Sequence, residues 1–423
     1  MKILNNIDFS IRGIYEYAFS SVPCTKRKQT WKIVIVMMCF AFSVSSITSG
    51  AFIGKALPFE KAILACLAGN FFLFCIGLLW GLLSYRFGYT SVFLVEKILG
   101  SAAGSIFSVL LVFSMVIWIG MVGDLFAKMV LSSFPKWPVP LSFTILMIVL
   151  FWVLCSIKGW KAMERIDMIV LPILFLLYIY HLWKVIEIKN GVQFLTEYIP
   201  KTDMTFFAAV TAVVGNFVIF TTTIPDVCRF AKSKKAVFLC VFAYFFTLMC
   251  SNFLGIFIIQ AAQATTLNYA VLLLNIVLPY CIWLALCALT TQNGSIYVSS
   301  LAVQALVKKT RMGGQISHKT AVFFIGGLSV IVSNLKIMGS LLQMTEIFLL
   351  CILPLWGILF GAMLFYKKIQ CLKNWEVVTA WIAGSVAGII FYINLKSQFW
   401  VISLLVSAGV YSLFCFKNSR RMS

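Results

Sequence analysis

Hydroxyls and amides set among apolar side chains are the residues of this sequence best suited to chemistry. Thr290-Thr291-Gln292-Asn293-Gly294-Ser295 places five such side chains in six residues. Threonine hydroxyls together with unwound main-chain carbonyls are hard oxygen ligands, suited to Na⁺ rather than to a soft metal. A polar seam between helices is the other reading of the same run. Two further runs, Ser43-Val44-Ser45-Ser46-Ile47-Thr48-Ser49-Gly50 and Thr221-Thr222-Thr223-Ile224-Pro225, carry residues that compete for backbone hydrogen bonds or remove one. Each predicts a helix broken at mid-depth, or a continuous helix whose hydroxyls bond back to their own turn. Trp118, in Met115-Val116-Ile117-Trp118-Ile119-Gly120, is either a platform for a planar ring or a packing residue.

Asp124, Asp226 and Glu346 stand in or near apolar runs. Asp226 is followed by Arg229 at i+3, which predicts a structural ion pair, and Asp124 stands one turn before Lys128 with the same implication. Glu346 has no basic residue within two turns on its C-terminal side. An acid in a membrane interior is a functional candidate. Glu346 is thus a candidate gate residue with a proton-coupling role, the alternative being an ordinary acid solvated by a polar seam or vestibule.

The elements that must position these residues are set by the composition. Of 423 residues 62% are hydrophobic and 11% charged, and the mean hydropathy is +1.00. A soluble domain is about half apolar and a quarter charged, so lipid must be the solvent here. Apolar runs predict twelve spans: 32–54, 61–84, 103–128, 139–157, 166–184, 205–224, 235–261, 270–305, 319–334, 338–364, 375–393 and 397–415. The eighth is too long for one helix and predicts a short extracellular segment before Pro279. Breaks in spans one and six would fall at matching places in two five-span units, the pattern of an inverted-repeat transporter. The predicted organisation is a cytoplasmic segment 1–30, a first repeat 31–200, a second repeat 201–366, and spans eleven and twelve with a tail over 367–423.

The net charge of +21 has the distribution of a topology signal. Counted from a cytoplasmic N-terminus, most Lys and Arg fall on the inner loops, including Lys26-Arg27-Lys28, Lys232 to Lys235, Lys308-Lys309 and Lys367-Lys368. Both termini are therefore expected in the cytoplasm of an inner-membrane protein, and a nucleic-acid partner is excluded. Residues 1–30 lack the short apolar core and small-residue cleavage site of a signal peptide. The 13 cysteines are scattered singly without C-x-x-C, and the two histidines, His181 and His318, are far apart, so no metal or redox cofactor is expected. A membrane-embedded enzyme would need acids or histidines clustered at a membrane face, and the sequence has no such cluster.

The blocks Val213-Val214-Gly215-Asn216-Phe217, Asp226-Val227-Cys228-Arg229-Phe230 and Lys235-Ala236-Val237 resemble the sixth span and following loop of the cytosine permeases of the nucleobase–cation symporter family. Thr290-Thr291-Gln292-Asn293 with Ile296-Tyr297-Val298-Ser299 resembles that family's eighth span. Gly81, Gly88, Thr90, Leu94, Lys97 and Gly100 resemble its loop between spans two and three, and Gly69-Asn70 its second span. The resemblance runs over about 31–415. It implies an all-α leucine-transporter-type fold, two inverted five-helix repeats plus two helices, and Na⁺-coupled uptake of a flat heterocycle by a monomer. It also implies that Trp118 and Phe217 close on the two faces of the ring, that Asn216 lies in the pocket, and that Thr290 and Thr291 ligate sodium with first-span carbonyls at Ser43 and Ser46. Where cytosine permeases carry glutamine, serine and asparagine, this chain carries Met115, Ile219 and Cys287. A polar edge left unpaired costs about 1–3 kcal/mol per group. These departures favour a less polar heterocycle over cytosine, such as a hydroxymethylpyrimidine of thiamine metabolism, or a receptor-like homologue that does not transport. At Glu346 the family carries an uncharged residue.

Overall fold

The computed structural model describes residues 16–134, 136–309, 316–335, 341–364, 374–395 and 398–420. The first fifteen residues and the pair Lys367-Lys368 lie outside the described residues. The described residues form α-helices α1 (Thr30–Ala41), α2 (Val44–Ala56), α3 (Phe59–Phe87), α4 (Ser91–Leu99), α5 (Ser101–Ser133), α6 (Leu141–Ser156), α7 (Trp160–Lys189) and α8 (Phe206–Cys228). They continue as α9 (Lys234–Ala262), α10 (Leu267–Leu273), α11 (Val277–Lys309), α12 (His318–Asn334), α13 (Leu341–Leu364), α14 (Asn374–Leu395) and α15 (Phe399–Arg420). With α1 and α2 taken as one segment and the short α4 and α10 left aside, these coincide with the predicted spans. Seven helices are long and apolar enough to cross a membrane, eight with the α1–α2 pair.

The first span is broken. α1 and α2 meet at 51° across Phe42 and Ser43. The break lies just ahead of the serine run, and Val44–Ala56 is helical. Ser43 is the reason α2 starts where it does. Its backbone is extended (φ −133°, ψ 151°), its hydroxyl accepts from the Ser46 amide at 3.1 Å, and Ser46 Oγ accepts from the Ser43 amide at 3.3 Å. The two serines form a reciprocal cap at the centre of the chain's first span.

The sixth span is not broken, contrary to the prediction from Thr221–Pro225. α8 runs through Pro225 to Cys228. The hydroxyls of Thr221, Thr222 and Thr223 donate to the carbonyls of Phe217 (2.9 Å), Ile219 (2.5 Å) and Phe220 (2.8 Å). Each threonine satisfies itself on its own turn, so no polar group is released that would require a gap. The eighth span follows the prediction: α10 and a turn over 274–276 precede α11.

α3 packs along α8, and α2 along α9, with the lipid-like tails Leu64, Leu67 and Phe71 left on the outer surface of α3. The α2–α9 approach is set by two glycines. A Cβ on Gly50 would stand 2.0 Å from the Asn252 carbonyl oxygen, and one on Gly255 would stand 2.0 Å from that of Ile47. Small residues let backbones come this close, which compensates for the missing hydrophobic drive between helices in lipid. Overpacking here costs about 1–3 kcal/mol or more, because the obstacle is backbone. Gly255→Ala is expected to lower the thermal midpoint of purified protein by several degrees, whereas Gly327→Ala, where nothing lies within 4 Å, leaves it unchanged; differential scanning fluorimetry reads both.

Candidate functional site

The break in the first span exposes main-chain oxygens inside the bundle, and polar side chains from three other helices take them up. On the α1 side, Thr290 Oγ1 donates to the Cys39 carbonyl at 3.1 Å and Thr291 Oγ1 to that of Phe42 at 2.8 Å. Thr290 Oγ1 also lies 3.2 Å from the Cys287 carbonyl on its own helix. On the α2 side, Asn216 Nδ2 of α8 donates to Ser45 O (3.1 Å), and Asn252 Nδ2 of α9 to Ser46 O (2.8 Å). Asn70 of α3 steadies Asn252 by donating to its Oδ1 at 3.0 Å.

Six oxygens therefore lie beside the break: two threonine hydroxyls, the carbonyls of Cys39 and Phe42 across the helix contact, and those of Leu286 and Cys287 on the threonines' own helix, each 3.2 Å from Thr290 Oγ1. All six are neutral and hard, a donor set for an alkali cation. Ser43 and Ser46 do not turn to Thr290 and Thr291. They hydrogen-bond each other, with Ser46 Oγ donating to Ser43 O at 2.7 Å. The first-span carbonyls that Thr290 and Thr291 reach are those of Cys39 and Phe42, ahead of the expected Ser43 and Ser46. Carbonyls of apolar residues carry no side-chain signal in a sequence.

The aromatic part of the site is also rearranged. Trp118 of α5 is 1% exposed, and its indole Nε1 has no hydrogen-bond partner. The ring against it is Phe220, at 5.0 Å and 75°. Phe220 in turn meets Phe40 of α1 at 5.3 Å, and a Cβ on Gly294 of α11 would collide with the Phe40 ring at 2.5 Å. Phe217 is buried one turn earlier on α8, alongside the buried Asn216, whose Oδ1 lacks a partner, and the buried Ile219. Met115 and Cys287 are buried without any exposed surface. Phe40 and Phe220 stand at the ends of apolar runs, ahead of Ser43 and Thr221, and nothing in their residue type separates them from core phenylalanines.

A cleft of about 240 Å³ opens next to this group, lined by Val44 and Thr48 of α2, Val122 and Phe126 of α5, and Tyr280 and Leu284 of α11. Val122 is one turn beyond Trp118, and Val44 adjoins Ser43. The cleft thus reaches the break from the end of the bundle opposite to the N-terminal segment.

The N-terminal segment closes the other end. Arg229, fully buried after α8, donates to the carbonyls of Glu16 (3.0 Å) and Tyr17 (3.1 Å) and to the Tyr297 hydroxyl (2.9 Å). Lys28 N donates to Phe230 O at 2.8 Å, and Val22 N to Gly88 O at 2.9 Å. The predicted Asp226–Arg229 ion pair takes a different form. Arg229 Nε donates to the Asp226 main-chain oxygen (3.1 Å), while the Asp226 carboxylate accepts from Ser91 N (3.2 Å) and Ser91 Oγ (2.5 Å) at the start of α4. A helix N-terminus offers both free amides and a favourable dipole to the carboxylate. Asp124 and Lys128 pair as expected, at 2.6 Å. Glu346 accepts from the Tyr392 hydroxyl of α14 at 2.7 Å, so its observed partner belongs to the C-terminal helices. Among the described residues no three His, Cys, Asp or Glu gather as a metal site.

Residues 21–416 match the family model described as permease for cytosine/purines, uracil, thiamine, allantoin. The chain belongs to this family of permeases. Its members are membrane transporters rather than enzymes. The cytosine permeases of Escherichia coli O157:H7 and of strain K12 are each 27% identical over 287 residues, and the chain spans 66% of the length of these curated relatives. The structure of Mhp1, a nucleobase-cation-symport-1 family transporter in a closed conformation with bromovinylhydantoin bound, superposes with a TM-score of 0.81 at 12% identity, over 95% of each chain. A Na⁺-coupled sialic acid symporter in a substrate-bound outward-open state gives 0.71 at 12% identity, over 93% of this chain and 90% of that one. The permease fold is accordingly all-helical and of the leucine-transporter type.

The N-terminal closure yields a prediction. Burial pushes the Glu16 carboxyl up from its ordinary range, and attraction to Arg229, with lesser contributions from the Trp160 amide, Lys28 and Lys161, offsets only part of this. A raised acid contributes docking stability at pH below its free value and loses it as pH rises through the docked value. Hydrogen exchange in segment 16–29, corrected for intrinsic rate, is expected to slow on acidification, and Glu16→Gln to abolish that dependence.

Proposed function

We propose that this permease is a secondary active transporter that imports a nucleobase-like planar heterocycle, a pyrimidine or purine, with Na⁺ by alternating access. The observation that carries this reading is the pair Thr290–Thr291 facing the Cys39 and Phe42 carbonyls where the first span breaks. Sodium would bind among the oxygens at that point, the two O–H protons rotating away from the carbonyls so that hydroxyl and carbonyl lone pairs face the ion. The heterocycle would lie beside it against Trp118, with Phe217 or Phe220 on its other face. The unpartnered Trp118 Nε1 donor and Asn216 Oδ1 acceptor are available to a polar ring edge. Met115, Ile219 and Cys287 offer that edge little, which favours a substituted pyrimidine of lower polarity over cytosine.

Alternating access has support at both ends of the bundle. The Arg229 latch closes the N-terminal end, and the cleft lined by Val44, Val122 and Tyr280 leads in from the opposite end. With the N-terminus on the cytoplasmic side, this is an outward-facing arrangement in a bacterial inner membrane, with a monomer as the transporting unit. Substrate and ion enter from the cleft, and release requires the latch at Arg229 to part.

Uptake into proteoliposomes tests the reading. Flux in sodium buffer is expected to exceed that in choline buffer severalfold, and equal flux would refute sodium coupling. Thr291→Val keeps the shape but removes one hard ligand, and is expected to raise the sodium concentration for half-maximal uptake. Base–aromatic stacking is worth about 1–3 kcal/mol, so Trp118→Ala is expected to weaken binding of the identified heterocycle about tenfold or more by isothermal calorimetry. Phe217→Ala and Phe220→Ala compared in the same assay decide which ring opposes it.

A further inference from the structure

The sodium site described above has no charge of its own. Its six oxygens belong to two hydroxyls and four carbonyls, and a cation among them in the bundle interior would lack an opposite charge. Burying an ion without compensation is expensive. A carboxylate lies next to the site on a helix that contributes no ligand.

Asp167 stands in the second turn of α7, 1% exposed, in a helix that packs against α1, α9 and α11. Its Oδ1 has no hydrogen-bond partner. Among the described residues no Lys or Arg pairs with it. Of the basic residues at this end of the bundle, which include Lys158, Lys161 and Arg165, Lys28 and Lys32 reach Glu164 one turn earlier, at 3.5 and 2.5 Å. Cys39 faces Asp167 from α1: its Sγ donates to the Asp167 main-chain oxygen at 3.5 Å. The carbonyl of that same Cys39 receives Thr290 Oγ1 at 3.1 Å. One residue therefore separates the uncompensated acid from the neutral oxygen cluster. Intramembrane acids are rare and mark ion pathways. A merely structural acid here would be expected to engage both oxygens, as Asp226 does with Ser91.

We propose that Asp167 is the counter-charge of the cation site at Thr290 and Thr291, a residue that sets the affinity for a monovalent cation without itself being one of its ligands. The inference rests on the sodium reading of those threonines. One carboxylate balances one monovalent cation, and the field acts through the Cys39 side of the site, where little water screens it.

The test uses the purified full chain, its thermal midpoint followed as NaCl replaces choline chloride at constant ionic strength, together with equilibrium binding of ²²Na⁺. Ligand at concentration c binding to the folded state stabilises it by RT ln(1 + c/Kd), so the midpoint climbs once the ligand concentration passes Kd. In the wild type the midpoint is expected to rise with sodium and ²²Na⁺ binding to saturate. Asp167→Asn is expected to keep or raise the sodium-free midpoint, since it removes an uncompensated acid, and to shift half-saturation upward by at least about tenfold, about 1.4 kcal/mol. Asp167→Glu should recover much of the sodium response. Asp167→Ser provides a second neutral variant should the asparagine protein fail to fold. Sodium saturation at wild-type concentrations in a folded Asp167→Asn or Asp167→Ser protein overturns the counter-charge and leaves the threonine site standing. A change in midpoint of equal size with and without sodium also overturns it, since that marks a packing role. No sodium signal in the wild type overturns both readings, and that failure is visible before any variant is made.

Discussion

A main-chain carbonyl inside a bilayer has no water to bond, and leaving it bare costs several kcal/mol. The gap at Phe42 and Ser43 creates several such groups at once. Helices α8, α9 and α11 converge on it because each carries a polar side chain that takes one of them: Asn216, Asn252, and the Thr290–Thr291 pair. Asn70 in α3 holds Asn252 in turn. The polar runs of this otherwise apolar chain are largely explained by that one break. Gly50, Gly255 and Gly294 share the dependence, since they let α9 and the Phe40 ring come close enough to enclose it.

The same break divides the molecule into two functional ends. Toward the N-terminal segment, contacts are dense and polar: Arg229 with the Glu16 and Tyr17 carbonyls, Glu164 with Lys28, Lys32 and Trp160. Toward the opposite end, helices α2, α5 and α11 splay around a cleft whose lining is mostly apolar. The aromatic group of Trp118, Phe220 and Phe40 separates the two. In the proposed mechanism the neutral oxygen cluster lies at that division, so cation binding acts on the angle between α1 and α2 and on their hold on α11. Coupling between ion and substrate then needs no long pathway, because the break touches both sites.

Much of this architecture was legible in the sequence. Twelve apolar runs give the helices, and Ser43 with Ser46 gives the start of α2, because a capping pair is a local signal. The Thr221–Pro225 run is equally polar and yet helical, since its hydroxyls bond back within the same turn. Side-chain composition alone does not distinguish a hydroxyl that caps a gap from one that serves its own helix. The carbonyls of Cys39 and Phe42 that receive the two threonines were illegible for another reason: they belong to the backbone, and their residues look like core. Phe220 is hidden among phenylalanines, and a one-turn difference from Phe217 depends on the rotation of α8. Asp167 is visible as an acid in the apolar helix Trp160–Lys189, but its importance lies in what it lacks. Only packing shows that Lys28 and Lys32 are spent on Glu164 and that Cys39 links Asp167 to the break.

The claim on which the account turns is that an alkali cation and the heterocycle move together through the site at the break. Simultaneous measurement of ²²Na⁺ and radiolabelled heterocycle entering sodium-free proteoliposomes addresses it most directly. One neutral-oxygen site predicts one sodium taken up with each heterocycle, the ratio holding as either concentration is varied. Heterocycle accumulation with no accompanying ²²Na⁺ would contradict it.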